Sequence, residues 1–293
     1  MIACDLGSNT LRVVEIDCES KERICEFERI VKTAEGIATY GVISDMAIER
    51  VISAIMEAKN IFDFEKDGYK AVATAALRKA KNSKKVIDRI YKSTQIQFDI
   101  IDSNQEALYT SKGVENRLEK SGLDTKSYIL LDLGGGSCEV IVKEQTDIKV
   151  KSFDVGIVTI VEKYSLEDID RGIEIECEPI KKYATSLNTK PSCFIGASGT
   201  PTTIASFLQG MDYEHYDYTK INGYHLKTSD MQQALKRLLE LDPKERVRYV
   251  GVGRDDLVIA GVKLLLYIVE IFKFNQIIVI DDGLREGVGL SEC

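Results

Sequence analysis

Two distant stretches of the chain repeat one pattern of apolar and polar positions. Asp5-Leu6-Gly7-Ser8-Asn9-Thr10-Leu11-Arg12-Val13-Val14 aligns without a gap on Asp132-Leu133-Gly134-Gly135-Gly136-Ser137-Cys138-Glu139-Val140-Ile141. In each, an apolar run delivers an aspartate, a glycine-containing turn follows, and a β-rich segment returns, which predicts a hairpin. A fainter echo comes after each hairpin. AVAT leads into AALRKAKN at Ala75 to Asn82, and CFIGASGT leads into PTTIASFL at Pro201 to Leu208, where Pro201 suits a first helical position. Hairpins followed by strand–helix alternation predict two α/β domains with mixed sheets. A helical stretch from Asn104 to Lys120 ends at the turn Ser121-Gly122-Leu123-Asp124, which sets the expected boundary near Gly122, with domains 1–122 and 123–293. Asp212 to Lys227 reads as an irregular insertion before a helix from Asp230 to Leu241. Whether the final helix packs back on the first domain stays open at this level.

Composition narrows the class of ligand. With 44% hydrophobic and 29% charged residues among 293, the chain has the make-up of a globular protein. A net charge of −8 argues against a broad nucleic-acid-binding surface, so an anionic ligand needs a local basic focus. Cys4, Cys18, Cys25, Cys138, Cys177, Cys193 and Cys293 form no CxxC pair with metal-site spacing and are expected as reduced thiols of a cytoplasmic protein. No signal-peptide core is visible in MIACDLGSNT. The run LVIAGVKLLLYIVEIF is interrupted by Lys263 and Glu270, which suits a buried helix rather than a membrane span. Only His215 and His225 are present, which argues against histidine-based catalysis or a multi-histidine metal site.

Chemistry concentrates in three loops. Gly7-Ser8-Asn9-Thr10 and Gly134-Gly135-Gly136-Ser137 are small and rich in donors, so their amides can approach phosphate oxygens, although glycines also serve tight turns. Gly196-Ala197-Ser198-Gly199-Thr200 ends a strand and opens a helix, where Gly199 and Thr200 amides favour an anion. Asp5, Asp132 and Glu139 stand beside these loops as hard oxygen donors suited to Mg²⁺. Asp132 and Glu139 form the preferred pair, since Asp5 is also placed to cap its turn. Arg12 occupies in the first copy the place Glu139 holds in the second, and Arg12 and Arg78 can fork onto phosphate oxygens, with Arg254 a further cation. Glu106, read alone, is a favourable charge at a helix N-terminus.

Taken together, DLGSNTLRVV, ATAALRKAKN, IDSNQEA, LLDLGGGSCEV, FDVGIVTIVEKY, GASGTPTTIA, GRDDLVIAGV and DDGLREGV resemble the exopolyphosphatase/guanosine pentaphosphate phosphohydrolase family, in the family's order and over nearly the whole chain. The resemblance implies an α/β fold of two actin-like domains, of the RNase H-like, sugar kinase, Hsp70 and actin superfamily, with an interdomain cleft. It implies Mg²⁺-dependent phosphoanhydride hydrolysis, with Glu106 as the water-activating carboxylate, Glu139 as a second catalytic acid, Asp132 on the metal side and Arg78 on phosphate. Ser8, Asn9, Thr10, Arg12, Gly134, Gly135, Gly136, Ser137, Gly199 and Thr200 complete the expected phosphate site. Gln105, Thr10 and Cys138 depart from the family's commoner residues, and none of these removes a proposed catalytic carboxylate. The chain resembles the short, two-domain members.

The expected ligands are polyphosphate, in short chains first, and guanosine pentaphosphate or tetraphosphate, without nucleic acid or membrane; a homodimer stays open. Two rivals share the motifs: a small-molecule kinase on the same scaffold, and a non-catalytic sensor of guanosine tetraphosphate.

Overall fold

Strict alternation along β1 (Ile2–Leu6) sends Ile2, Cys4 and Leu6 into one hydrophobic core and Ala3 into another. The structure, a computed structural model, describes residues 1–189 and 191–293, apart from the side chains of Asp255 and Asp256. It divides into two compact units, residues 1–116 with 282–293, and residues 117–281.

In the first unit β1 is followed by β2 (Thr10–Ile16), β3 (Arg23–Ile30), α1 (Ile37–Tyr40), α2 (Asp45–Ala58), β4 (Tyr69–Ala73), α3 (Ala75–Lys79), α4 (Ser83–Thr94), β5 (Asp99–Ile100) and the start of α5 (Ser103–Lys120). The second unit takes up the end of α5 and holds β6 (Ser127–Leu133), β7 (Cys138–Glu144), β8 (Asp147–Phe153), α6 (Ile157–Lys163), α7 (Ile169–Glu176), α8 (Glu178–Ser186), β9 (Cys193–Ala197) and α9 (Gly199–Leu208). It continues through α10 (Tyr218–Ile221), β10 (Tyr224–Lys227), α11 (Thr228–Glu240), α12 (Pro243–Val250), α13 (Asp255–Ile271) and β11 (Gln276–Val279), after which α14 (Leu284–Ser291) returns to the first unit.

The sheet orders are β3-β2-β1-β4-β5 and β10-β11-β9-β6-β7-β8. Apart from the added edge strand β10, the second retraces the first. Both are mixed: β1 pairs antiparallel with β2 and parallel with β4, as β6 does with β7 and β9. The repeated hairpin extends to single bonds, since Gly7 N donates to the Thr10 carbonyl at 2.9 Å and Gly134 N to that of Ser137 at 3.0 Å. These are two α/β units of the actin-like type.

Three sequence expectations shift. The boundary falls between Asn116 and Arg117, inside α5, because that helix continues from one unit into the other, and the glycine turn near Gly122 marks only its end. The stretch from Asp212 to Lys227 is not wholly irregular, for it ends in β10, antiparallel to β11. Pro201 lies third in α9 rather than first.

The expectation of seven reduced thiols is also corrected: Cys18 and Cys293 form a disulfide across 275 residues of sequence. The turn after β2 and the end of α14 converge in the first unit, a meeting that cysteine spacing does not disclose. Among the described residues, no helix is long and apolar enough to cross a membrane.

Two opposed layers hold the first unit's sheet. On one face Leu6, Leu11, Val13 and Ala73 pack with Val51 and Ile55 of α2 and Ile87 and Ile90 of α4. On the other, Ala3, Val14, Ile16 and Val72 meet Leu284, Val288 and Leu290 of α14. Arg23 clasps that helix, reaching Glu26 at 2.7 Å and Asp282 and Glu286 at 3.0 Å, while Arg285 bonds Glu26 and Glu286. All but Glu26 are buried, so each charge needs its partners.

Candidate active site

Alternation places the chemistry on the sheet face opposite the larger core in each unit. Ile129, Leu131 and Leu133 of β6 and Cys138, Val140 and Val142 of β7 point into the second unit's core, so Asp132 and Glu139 point the other way. They are direct cross-strand partners, as Asp5 and Arg12 are in the first unit. Glu139 is buried, and one of its oxygens accepts the Ser152 hydroxyl of β8 at 2.7 Å. The register makes that contact, because Glu139 and Ser152 are also cross-strand partners.

The triple-glycine turn has a packing reason beyond hairpin formation. A Cβ on Gly156 would run into the Gly135 peptide, so two backbones touch directly there. The amides opening α6 donate into the same turn, Ile157 N to the Gly134 carbonyl at 3.1 Å and Val158 N to that of Gly135 at 2.8 Å. Next to it lies the Gly196–Thr200 loop. Ser198 has φ 85° and ψ 177°, a region nearly confined to glycine, and its hydroxyl accepts the Leu133 amide at 3.2 Å. The second unit thus gathers Asp132, Glu139, Gly134–Ser137, Gly199 and Thr200 around the ends of β6 and β9.

In the first unit Ser8, Asn9 and Thr10 form the turn between β1 and β2, with Ser8 buried. The Ser8 carbonyl accepts Ala34 N at 2.8 Å and the Asn9 carbonyl accepts Val31 N at 2.8 Å, which braces the turn from behind. Arg12 gives its Nε to Glu28 at 2.7 Å, so the arginine expected on phosphate is engaged across the β2–β3 pair. Arg254 lies over the Tyr213 ring at 5.6 Å.

Arg78 and Glu106 come together. Thr74 N bonds the Leu6 carbonyl where β1 and β4 end, and α3 carries Arg78 one turn onward. Glu106 opens α5, where Asp102 and Gln105 form a reciprocal cap: Gln105 N donates to Asp102 Oδ1 at 2.8 Å and Asp102 N to Gln105 Oε1 at 3.1 Å. That cap accounts for an amide at position 105 and fixes the first turn, so Glu106 faces inward. Arg78 Nη1 then meets Glu106 Oε2 at 2.5 Å and also donates to the Ile101 carbonyl at 3.0 Å.

The model of the Ppx/GppA phosphatase family matches residues 13–293. The chain belongs to that family. Among its relatives, it is 28% identical over 302 residues to a bifunctional 3-dehydroquinate synthase/phosphatase of Fusobacterium nucleatum, covering 94% of this chain and 44% of that protein. It is 27% identical over 301 residues to a guanosine-5'-triphosphate,3'-diphosphate pyrophosphatase of Photobacterium profundum, covering 98% and 58%. The chain therefore spans about half the length of these relatives. A solved exopolyphosphatase of Cytophaga hutchinsonii is similar over 98% of this chain and 95% of its own, with a TM-score of 0.84 and 25% identity.

The sequence reading does not single out Ser152 or Gly156, and it takes Ser198 only as part of its loop. The family segment FDVGIVTIVEKY contains Gly156, and the hairpin register of Glu139 is the signal for Ser152.

Proposed function

We propose that the chain is a Mg²⁺-dependent phosphoanhydride hydrolase that releases terminal phosphate from short inorganic polyphosphate and converts guanosine pentaphosphate to guanosine tetraphosphate. One observation carries the reading: Glu106, a buried carboxylate on a capped helix, stands against an arginine at the strand ends. Family membership supports the same class of chemistry.

Phosphoryl transfer to water needs charge neutralisation and an aligned nucleophile. Glu106 takes the water's proton as its oxygen bonds to the terminal phosphorus. The bond from that phosphorus to the bridging oxygen breaks, and the shortened chain leaves with the electron pair. As phosphate donors the second unit offers the amides of Gly135–Ser137, Gly199 and Thr200, and the first unit, taken by itself, offers Arg78 with Ser8, Asn9 and Thr10. The donor set fits Mg²⁺: two facing carboxylates, Asp132 and Glu139, supply hard oxygens, and among the described residues no group of three or more His, Cys, Asp or Glu forms a closed cage. A cation using one or two carboxylates and completing its shell with waters and phosphate oxygens matches that set. When bound, it would neutralise charge on the transferred group.

Phosphate release from tripolyphosphate, guanosine pentaphosphate and ATP, with and without Mg²⁺, tests the proposal. The first two should be cleaved and Glu106→Gln should lower turnover by about two to four orders of magnitude. ADP formation that depends on an acceptor, or tight guanosine tetraphosphate binding without any phosphate release, would overturn it.

A further inference from the structure

Arg78 is assigned to phosphate and Glu106 to water, yet the structure has each bonded to the other. Their side chains are 19% and 10% exposed, so the contact is partly screened from water and the guanidinium can still be reached from solvent. Arg78 has one further anchor in the same unit, the Ile101 carbonyl just before α5. The cap between Asp102 and Gln105 fixes the first turn of α5, from which Glu106 projects, so the backbone under the carboxylate stays in place when the arginine moves. We propose that the pair is a latch: the arriving phosphate takes Arg78 from Glu106, and only then does that carboxylate oxygen become available to accept a proton from water. Charge supports the exchange, because a phosphate chain offers the guanidinium several oxygens in place of one carboxylate oxygen. The latch would keep the base occupied when no substrate is present and couple phosphate binding to water activation. It rests on the functional reading above and adds an order of events to it.

A double-mutant cycle on binding, rather than on activity, separates this from two simpler accounts. Calorimetric titration with methylenediphosphonate and Mg²⁺ reads affinity with no hydrolysis. If the latch exists, Glu106→Gln binds this probe more tightly than wild type, by roughly five- to tenfold, because Arg78 no longer has to leave an ion pair. In an Arg78→Ala background the same Glu106→Gln change gives no gain. If Glu106 merely repels the phosphate, the gain persists in that background and the latch is refuted. If the pair is only a brace between α3 and α5, Glu106→Gln leaves affinity unchanged, which also refutes it. Arg78→Gln replaces Arg78→Ala in the cycle should the alanine variant fail to fold. Wild-type protein that binds no phosphate chain and releases no phosphate overturns the functional reading along with the latch, whereas hydrolysis without coupling overturns the latch alone.

Discussion

Cys4, Cys138 and Cys177 lie within the packed interiors, and burial pushes each thiol up: well above its usual range for Cys4 and Cys138, and to about 12 from 9.0 for Cys177. The neighbouring Glu139 and Asp132 add to the rise at Cys138 after burial itself. A thiol that holds its proton more firmly when folded contributes stability that is complete below its unfolded value and lost as pH climbs through the folded one. Stability should accordingly decline from about pH 9 towards pH 12, and Cys177→Ala should make that decline shallower whatever its stability at neutral pH. Urea unfolding across this range checks the slope, and an unchanged slope would count against the assignment. At this same scale, Asp132 and Glu139 were legible in the sequence because a tight hairpin fixes who faces whom. The Arg78–Glu106 contact was not, since the two residues stand 28 apart in sequence and meet only through tertiary packing. Arg12, aligned with Glu139 by pattern alone, turned out to be engaged by Glu28 on a strand whose register the pattern does not set.

Among the elements, α14 meets α5 through glycines. A Cβ on Gly287 would overlap the Tyr109 carbonyl, and one on Gly113 would overlap that of Gly283. The two helices approach more closely there than side chains permit. Gly287→Ala should cost at least about 2 kcal/mol, since backbone cannot yield as a flexible side chain does. Gly283→Ala, with nothing within 4 Å of the added atom, should cost less than half as much. Chemical denaturation of the two variants decides, and equal costs would mean the helices separate easily. DDGLREGV carried the identities of this contact in plain view. Its partner surface lies in a helix far earlier in the chain, so the need for glycine at 287 appears only once α5 and α14 are packed. The helices themselves were readable within a residue or two, α5 from Ser103 instead of Asn104 and α11 from Thr228 instead of Asp230.

For the whole molecule, the first unit is discontinuous and the second is not. A fragment of residues 121–281 retains its sheet and core and should unfold cooperatively. Residues 1–120 lack α14, which strips cover from Ala3, Val14, Ile16 and Val72 and leaves Arg23 without Asp282 and Glu286. That fragment should be loosely packed, and appending 282–293 through a flexible linker should restore a cooperative transition, as circular dichroism on heating would show. A cooperative transition in 1–120 alone would mean that α14 is dispensable.

The position of α14 also bears on synthesis. At about 5–20 residues per second, a ribosome needs roughly ten to thirty seconds to make the second unit after the first five strands have emerged. Throughout that interval the earlier sheet has one apolar face and a buried-type arginine without their cover. A nascent chain of this protein is therefore predisposed to engage holding chaperones through the sheet of the first unit until α14 has been made.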